Sequence, residues 1–155
     1  MIRRFALALT LVMIASMTPA RPAPLSYEQK LVSLQKSYTA WSFQESPGSA
    51  TDAGIHTYDH LLSDYSSATQ SAEMVRLRSF RNELAGLLPP AGTNAHERVD
   101  YLLIRSDIEG DYWSRTVLSG LQRNPSIYEG ECSNGIFSIV KRQYAPDETR
   151  IRSAI

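Results

Sequence analysis

Apolar side chains recur along most of this chain at spacings of three and four residues, which is the period of an amphipathic α-helix. The first such stripe consists of Leu31, Leu34, Tyr38 and Trp41. Ser26 and Gln29 form a capping-box pair just ahead of it, and Pro47-Gly48 interrupts the pattern beyond it. The sequence therefore predicts a first helix over residues 27–45.

A second stripe of the same period predicts a second helix. Ser67 and Gln70 precede it as another capping-box pair, and Pro89-Pro90 ends it. Its apolar members are Met74, Leu77, Phe80, Leu84 and Leu87. Residues 47–65, between the two helices, hold Gly, Ser, Thr and Asp without a long period, which predicts a short helical turn and an ordered loop.

A third stripe begins after Asn94 and Glu97, which are spaced as a capping box, and ends near Gly120 and Asn124-Pro125. The residues predicted to face the core are Val99, Leu102, Leu103, Tyr112, Trp113, Val117 and Leu121. The Arg and Asp residues between them are predicted to face solvent. The pair Asp107 and Asp111 is accordingly interpreted as part of a solvated face rather than as an acid and a base.

The end of the chain predicts two shorter helical runs. Residues 126–135 are predicted to be a loop because they contain Gly130 and Gly135, and residues 136–144 to be a fourth helix. Pro146-Asp147-Glu148 is typical of a helix start, and the helix it opens is interrupted at the last residue. Strand-like alternation and hairpin turns are absent from the sequence, so the predicted class is all-α with antiparallel helices.

The N-terminal residues indicate export. A positive start, an apolar run and a small-residue cleavage site predict a signal peptide over residues 1–20, followed by a proline-rich linker over residues 21–26. The whole chain has a formal net charge of zero; cleavage removes two of its 16 basic residues and leaves 14 against 16 acidic ones, a charge of −2. No basic patch predicts a nucleic-acid partner, and no membrane association is expected after cleavage. The only cysteine, Cys132, excludes an internal disulfide.

Two histidines four residues apart, His56 and His60 in the stretch GIHTYDH, resemble half of a metal site. A zinc site needs three or four ligands, and Thr57 occupies the position at which a zinc peptidase carries its glutamate base. We interpret His56, Tyr58 and Asp59 as hydrogen-bonding groups of an ordered loop, with His60 exposed. A metal carrier using both histidines is the alternative. Near His96, the glutamate of the stretch HERVD is interpreted as a helix cap.

The order of the short motifs resembles a known family. Gly54-x-His56-x-Tyr58-Asp59 is followed by Asp100-Tyr101-x-Leu103, by Asn124-Pro125-x-x-Tyr128, and by Tyr144-Ala145-Pro146 with Arg150. In this order and spacing they resemble the N-terminal part of the bacterial family called domain of unknown function 885. The resemblance covers residues 27–155.

The resemblance implies an exported, mostly helical protein related to zinc-dependent peptidases and other hydrolases. Zinc is expected in full-length relatives, whose histidine- and glutamate-bearing metal motif lies later in the chain and has no counterpart here. Residues 27–155 are then an incomplete, non-catalytic helical domain that builds one wall of a cleft for a peptide substrate. The implied substrate-binding residues are His56, Tyr58, Asp59, Asn124 and Tyr128, and no catalytic or metal-binding residue is assigned. The alternative function is a small periplasmic helical binding module.

Overall fold

The computed structural model describes residues 24–154, which form an all-α fold and contain no β-strand. The predicted signal peptide and the first part of the linker lie outside these residues. Seven α-helices follow one another along the described part of the chain, in the order α1 Tyr27–Glu45, α2 Pro47–Asp52, α3 Ser67–Ala85, α4 Ala95–Trp113, α5 Gly120–Arg123, α6 Ser126–Lys141 and α7 Asp147–Ser153. None of the helices described between residues 24 and 154 combines the length and the apolar character needed to cross a membrane.

Helices α1, α3 and α4 enclose the apolar core. Phe80 of α3 packs edge-on against Tyr38 of α1, with ring centroids 5.4 Å apart, and also contacts Trp41. The other buried members of this core are Leu31, Leu34, Leu77, Leu84, Leu87, Tyr101, Ile104 and Ile108. The predicted bounds and core face of the first helix are confirmed, as is its capping box of Ser26 and Gln29.

The first turn of α3 is capped one residue earlier than predicted. Ser66, rather than Ser67, is the N-cap, and its hydroxyl accepts a hydrogen bond from the Thr69 backbone nitrogen. Asp64 also accepts a bond from the Thr69 hydroxyl at 2.6 Å. Ser66 has Thr69 three residues later and so lacks the Gln that completes a capping box with Ser67, but the contacts of its first turn to Asp64 favour Ser66 as the cap.

The predicted core face of the third helix is wrong. Tyr101, Ile104 and Ile108 of α4 are buried, whereas Val99, Leu102, Leu103 and Trp113 are exposed. The helix carries apolar residues on two opposite faces, so the helical period is satisfied by either. The face of α4 that is buried packs against apolar residues of α1 and α3. On the same side, Arg81 of α3 forms an ion pair with Glu109 of α4 at 2.8 Å and lies over the ring of Tyr112.

The segment after α4 also differs from the prediction. The regular α-helix ends at Trp113, and a π-helical turn over Ser114–Leu118 follows, closed by Ser119 in the left-handed conformation. Residues 126–135, predicted to be a loop, form the first half of α6. Gly135 lies close to Leu62, because a Cβ on it would be 2.7 Å from the end of that half-exposed side chain, which would have to move aside. A glycine that interrupts an apolar pattern can thus lie inside a helix, at a point where the helix packs closely against another segment.

Candidate functional site

The Asp59 carboxylate is the centre of a buried polar cluster. Its Oδ1 accepts a hydrogen bond from the Thr51 hydroxyl at 2.7 Å, and its Oδ2 accepts one from the Tyr144 hydroxyl. His56 Nδ1 lies 3.1 Å from the same Oδ2. Asp59 is only 6% exposed, and a buried carboxylate needs such partners to offset its lost hydration. We refer to Thr51, His56, Asp59 and Tyr144 as the Asp59 cluster.

Local backbone geometry brings the first three members of the cluster together. Gly54, which follows α2, has a φ of 85° that favours glycine, and Ile55 then donates a backbone hydrogen bond to the Ala50 carbonyl at 2.8 Å. A 3₁₀ turn over His56–Tyr58 follows at once. The predicted combination of a short helix and an ordered loop in this region is confirmed.

Tyr144 enters the cluster from the connection between α6 and α7. Its ring stacks on the His56 imidazole with centroids 3.4 Å apart and planes 5° from parallel. Burial, followed by the hydrogen bond to Asp59 and its charge, raises the pKa of Tyr144 to about 12. The phenol therefore remains protonated near neutral pH and serves as a hydrogen-bond donor to the carboxylate.

Arg150 of α7 holds the same connection from the other side. Its guanidinium donates to the backbone carbonyls of Val140 and Arg142 at 2.8 and 3.0 Å, and to that of Ala145 at 3.1 Å. It also pairs with Asp147. The last carbonyls of a helix have no partner within the helix, and a cation beside them is favourable. Arg150 therefore closes the C-terminal end of α6 and fixes the segment that carries Tyr144.

The substrate-binding residues proposed from the sequence divide into two groups. His56 and Asp59 are in the cluster, where their partners are the side chains of Thr51 and Tyr144 rather than backbone groups. Tyr58 is half-buried beside them, and His60 is exposed as predicted.

Asn124 and Tyr128 lie at the beginning of α6 and make local contacts. Asn124 accepts a hydrogen bond from the Ser126 backbone nitrogen at 3.2 Å, and the Tyr128 hydroxyl donates to the Leu121 carbonyl at 2.9 Å. The Tyr128 ring packs edge-on against Tyr65. Neither residue has a hydrogen bond to the Asp59 cluster in the described part of the chain, so the five residues do not form one site.

A small cavity of about 180 Å³ adjoins the cluster. Thr51, Asp59 and His60 contribute to its polar side, and Leu62, Ile136 and Ile139 are among its apolar walls. Asp59 is already bonded to three side chains, so its arrangement is suited to holding the loop against α6 and α7 rather than to activating a reactant.

A second polar cluster, which the sequence did not predict, centres on Arg115 in the π-helical turn. Its guanidinium pairs with Glu73 of α3, and its Nε lies 3.1 Å from Asp111 of α4. Gln70 donates a further hydrogen bond to Glu73 at 3.2 Å. Glu73 is buried, and it occupies the position four residues before Leu77 on the apolar stripe of α3. In the sequence, this second cluster is indicated by a charged residue at a position of the apolar stripe.

Glu45, at the end of α1, faces this second cluster. Burial, followed by the hydrogen bond to Glu73 and the Glu73 charge, raises the pKa of Glu45 to about 6. Two carboxyl groups that approach each other in a partly buried site resist simultaneous ionisation. Below about pH 6 Glu45 is therefore protonated, which reduces the negative charge beside Arg115.

A groove of about 580 Å³ opens beside these carboxylates, between α1 and the C-terminal half of α4. We call it the α1–α4 groove. Its principal lining residues are Tyr38, Trp41, Glu45, Asp107, Asp111 and Arg115. Asp107 and Asp111, interpreted from the sequence as a solvated pair, both face it. The groove combines aromatic walls with acidic groups, which is chemistry suited to a cation.

The described residues do not fit the zinc ion that the family resemblance implies for full-length relatives. Between residues 24 and 154, no three His, Cys, Asp or Glu side chains converge as a metal-binding group. Cys132, in particular, is an exposed free thiol.

The fold and its two polar clusters define an all-α protein, and comparison with known proteins adds no closer assignment. No protein-family model, no curated protein and no solved structure matches this chain.

Proposed function

We propose that this chain is the non-catalytic, N-terminal helical part of an exported protein related to zinc-dependent peptidases and hydrolases. In this proposal residues 27–155 build one wall of a cleft for a peptide substrate. The zinc ion, which in such enzymes polarises a carbonyl and activates water, is bound by other residues of the full-length protein. The described residues fit no zinc ion, so no step of hydrolysis is assigned to them.

The observation that carries the proposal is the hydrogen bond between Asp59 and Tyr144, two residues 85 positions apart. One belongs to the first motif of the family resemblance and the other to the last. Arg150, from that last motif, is buried and holds the segment on which Tyr144 lies. The first and last motifs of the resemblance therefore contact each other in the fold. This contact is a physical reason for the two motifs to occur in one chain, and it supports treating them as parts of one pattern.

Two measurements test this function. The first is the coding sequence downstream of the Ile155 codon, where we expect an in-frame continuation carrying a histidine- and glutamate-bearing metal motif. The second is an assay of the purified chain with fluorogenic peptides, with and without added zinc, where we expect no hydrolysis. Hydrolysis that copurifies with the chain and depends on residues of this chain would refute the non-catalytic assignment. A stop codon without such a continuation would refute the relationship to a larger enzyme.

A second candidate function is a small periplasmic helical binding module. The α1–α4 groove favours it, because aromatic and acidic groups together form a binding surface that needs no further domain. The discriminating measurement is urea unfolding of the isolated chain, followed by circular dichroism and by tryptophan fluorescence. A self-sufficient module is expected to show one cooperative transition by both probes, whereas part of a larger domain is expected to show separate or broad transitions.

A further inference from the structure

We propose that the α1–α4 groove binds a primary ammonium group carried on an alkyl chain. This site does not depend on the relationship to zinc-dependent peptidases, and it gives a ligand class to the groove that favours the binding module. At about 580 Å³ the groove lies within the range of roughly 300–1,000 Å³ that is common for small-molecule sites. Three properties of its walls, namely charge, aromatic surface and an available hydroxyl group, indicate the chemistry of the ligand.

The charge around the groove is negative. Glu45, Asp107 and Asp111 line it, Glu73 lies behind Arg115, and Arg115 is the one cation among these five groups. Four carboxylates against one guanidinium leave a formal charge of −3, or −2 at a pH below about 6, where Glu45 is protonated. Asp107 has no ion-pair partner between residues 24 and 154, so its charge remains available to a ligand.

The aromatic walls favour a cation with an alkyl stem. Tyr38 and Trp41 lie side by side in the groove, with ring centroids 5.8 Å apart. Aromatic faces attract ammonium groups, and the methylene groups behind the charge can pack on the same surface. The indole of Trp41 also lies 6.0 Å from the Arg115 guanidinium, so a cation of the protein already approaches this wall.

Tyr38 supplies a hydroxyl oxygen that can accept a hydrogen bond from a ligand. The residue is only 8% exposed, and its hydroxyl faces Asp111, to which its proton is directed. Burial and the nearby charges of Asp111 and Asp107 raise its pKa, so the hydroxyl stays protonated. A ligand ammonium group can donate to this oxygen and to Asp107 together, which satisfies two of its three donors.

A guanidinium or a metal ion fits the groove less well. The groups best placed for a bidentate contact, Glu73 and Asp111, are occupied by Arg115. The carboxylates do not converge as a metal-binding group. The remaining acceptors are Asp107, Glu45 and the Tyr38 hydroxyl, which belong to three separate side chains. The three donors of a compact ammonium group can be shared among separate groups, whereas the planar fork of a guanidinium is matched to one carboxylate.

The test uses three probes and the Trp113→Phe background, in which Trp41 is the only tryptophan left of two. Cadaverine represents a free alkyl diamine, and a terminally blocked Gly-Lys-Gly peptide represents a lysine side chain. The same peptide with norleucine in place of lysine lacks the ammonium group. We expect the first two probes, or one of them, to change Trp41 fluorescence saturably, and the norleucine peptide to have no effect. Binding of cadaverine alone or of the lysine peptide alone identifies the source of the ammonium group.

Two variants with the same change of charge separate the groove from the protein as a whole. Asp107→Asn removes a carboxylate that lines the groove and is expected to weaken binding about 5- to 10-fold. Asp100→Asn removes an exposed carboxylate of the same helix outside the groove, and is expected to change affinity less than about 2-fold. Tyr38→Phe keeps the ring and is expected to weaken binding about 3-fold.

The proposal is overturned if neither ammonium probe binds, or if the norleucine peptide binds as tightly as the lysine peptide. It is also overturned if Asp100→Asn weakens binding as much as Asp107→Asn, because the effect then comes from net charge. Both aspartates are exposed, so both variants are expected to fold, and circular dichroism verifies that they do.

Discussion

Replacing Arg150 by methionine tests the structural role of the segment between α6 and α7. Methionine retains the apolar volume of the arginine stem but donates no hydrogen bonds. The change removes the partner of several backbone carbonyls at the end of α6, among them those of Val140 and Arg142. It also leaves Asp147 without its cation, but Asp147 is largely exposed and recovers water.

The expected destabilisation follows from the number of acceptors that stay buried. In the variant, the Ile139 and Val140 carbonyls lose their hydrogen bonds from Arg150. Arg150 is only 7% exposed, so water has little access to this site. Each buried acceptor left without a partner costs about 1–3 kcal/mol, so two of them cost about 3 kcal/mol when water reaches one partly. For a chain of this size that corresponds to a fall in Tm of roughly 12 °C.

The assay is thermal unfolding followed by circular dichroism, with Arg152→Met as the matched control. Arg152 is on the same helix, is 77% exposed and pairs only with Glu148, itself exposed. Exposed pairs of this kind contribute less than about 1 kcal/mol, so the control is expected to lose at most a few degrees. Equal Tm values for the two variants would show that Arg150 does not close the end of α6.

Three further predictions concern the two polar clusters. Tyr144→Phe keeps the ring stacked on His56 but removes a donor to buried Asp59, and it is expected to lower the free energy of unfolding by about 1–2 kcal/mol in urea titrations; no change in midpoint would contradict the bond. His56→Ala loses both the stack and the Asp59 contact and is expected to cost about 1–3 kcal/mol, against less than about 0.5 kcal/mol for the exposed control His60→Ala. Glu45 has a folded pKa of about 6, above its ordinary 4.5, so its favourable contribution is fully present below pH 4.5 and is lost as the pH rises through 6. The Tm of Glu45→Gln relative to the wild type is therefore expected to increase between pH 4.5 and 7.5, and a constant difference would contradict the raised pKa.

The parts of the fold predicted correctly from the sequence are those with one dominant apolar stripe. The stripe of α1 has a single apolar face and both end signals, and its predicted bounds agree with the structure. On α4 two faces satisfy the same period, and the choice between them depends on packing against α1 and α3. The contacts involved join residues far apart in the chain, such as Arg81 and Glu109, 28 positions apart. Periodicity carries no information on such a contact, so the wrong face was predicted.

The candidate site shows the same division between local and long-range information. The arrangement of His56 and Asp59 follows from one turn of chain after Gly54, and the sequence suggested their loop role. Tyr144 could be placed beside them only by knowing that α6 returns to this loop. Glu73 was detectable in principle as a charge on an apolar stripe, but its partner Arg115 lies 42 residues away in a π-helical turn, and single-sequence patterns do not predict such turns.

The contacts that hold α6 and α7 to the rest of the molecule are mainly polar. Of the α6 side chains, only Ser138 and Ile139 are buried. Glu131 accepts from the Ser63 backbone at 2.8 Å, Ser138 donates to Asp52 at 3.0 Å, and Tyr144 donates to Asp59. Regions with few buried apolar contacts open at lower free energy than an apolar core such as that of α1, α3 and α4. If α6 and α7 open first, the Arg150→Met variant in the Trp113→Phe background should lose helix signal in a step that precedes the change in Trp41 fluorescence. A single shared transition would mean that the polar contacts couple this layer fully to the core.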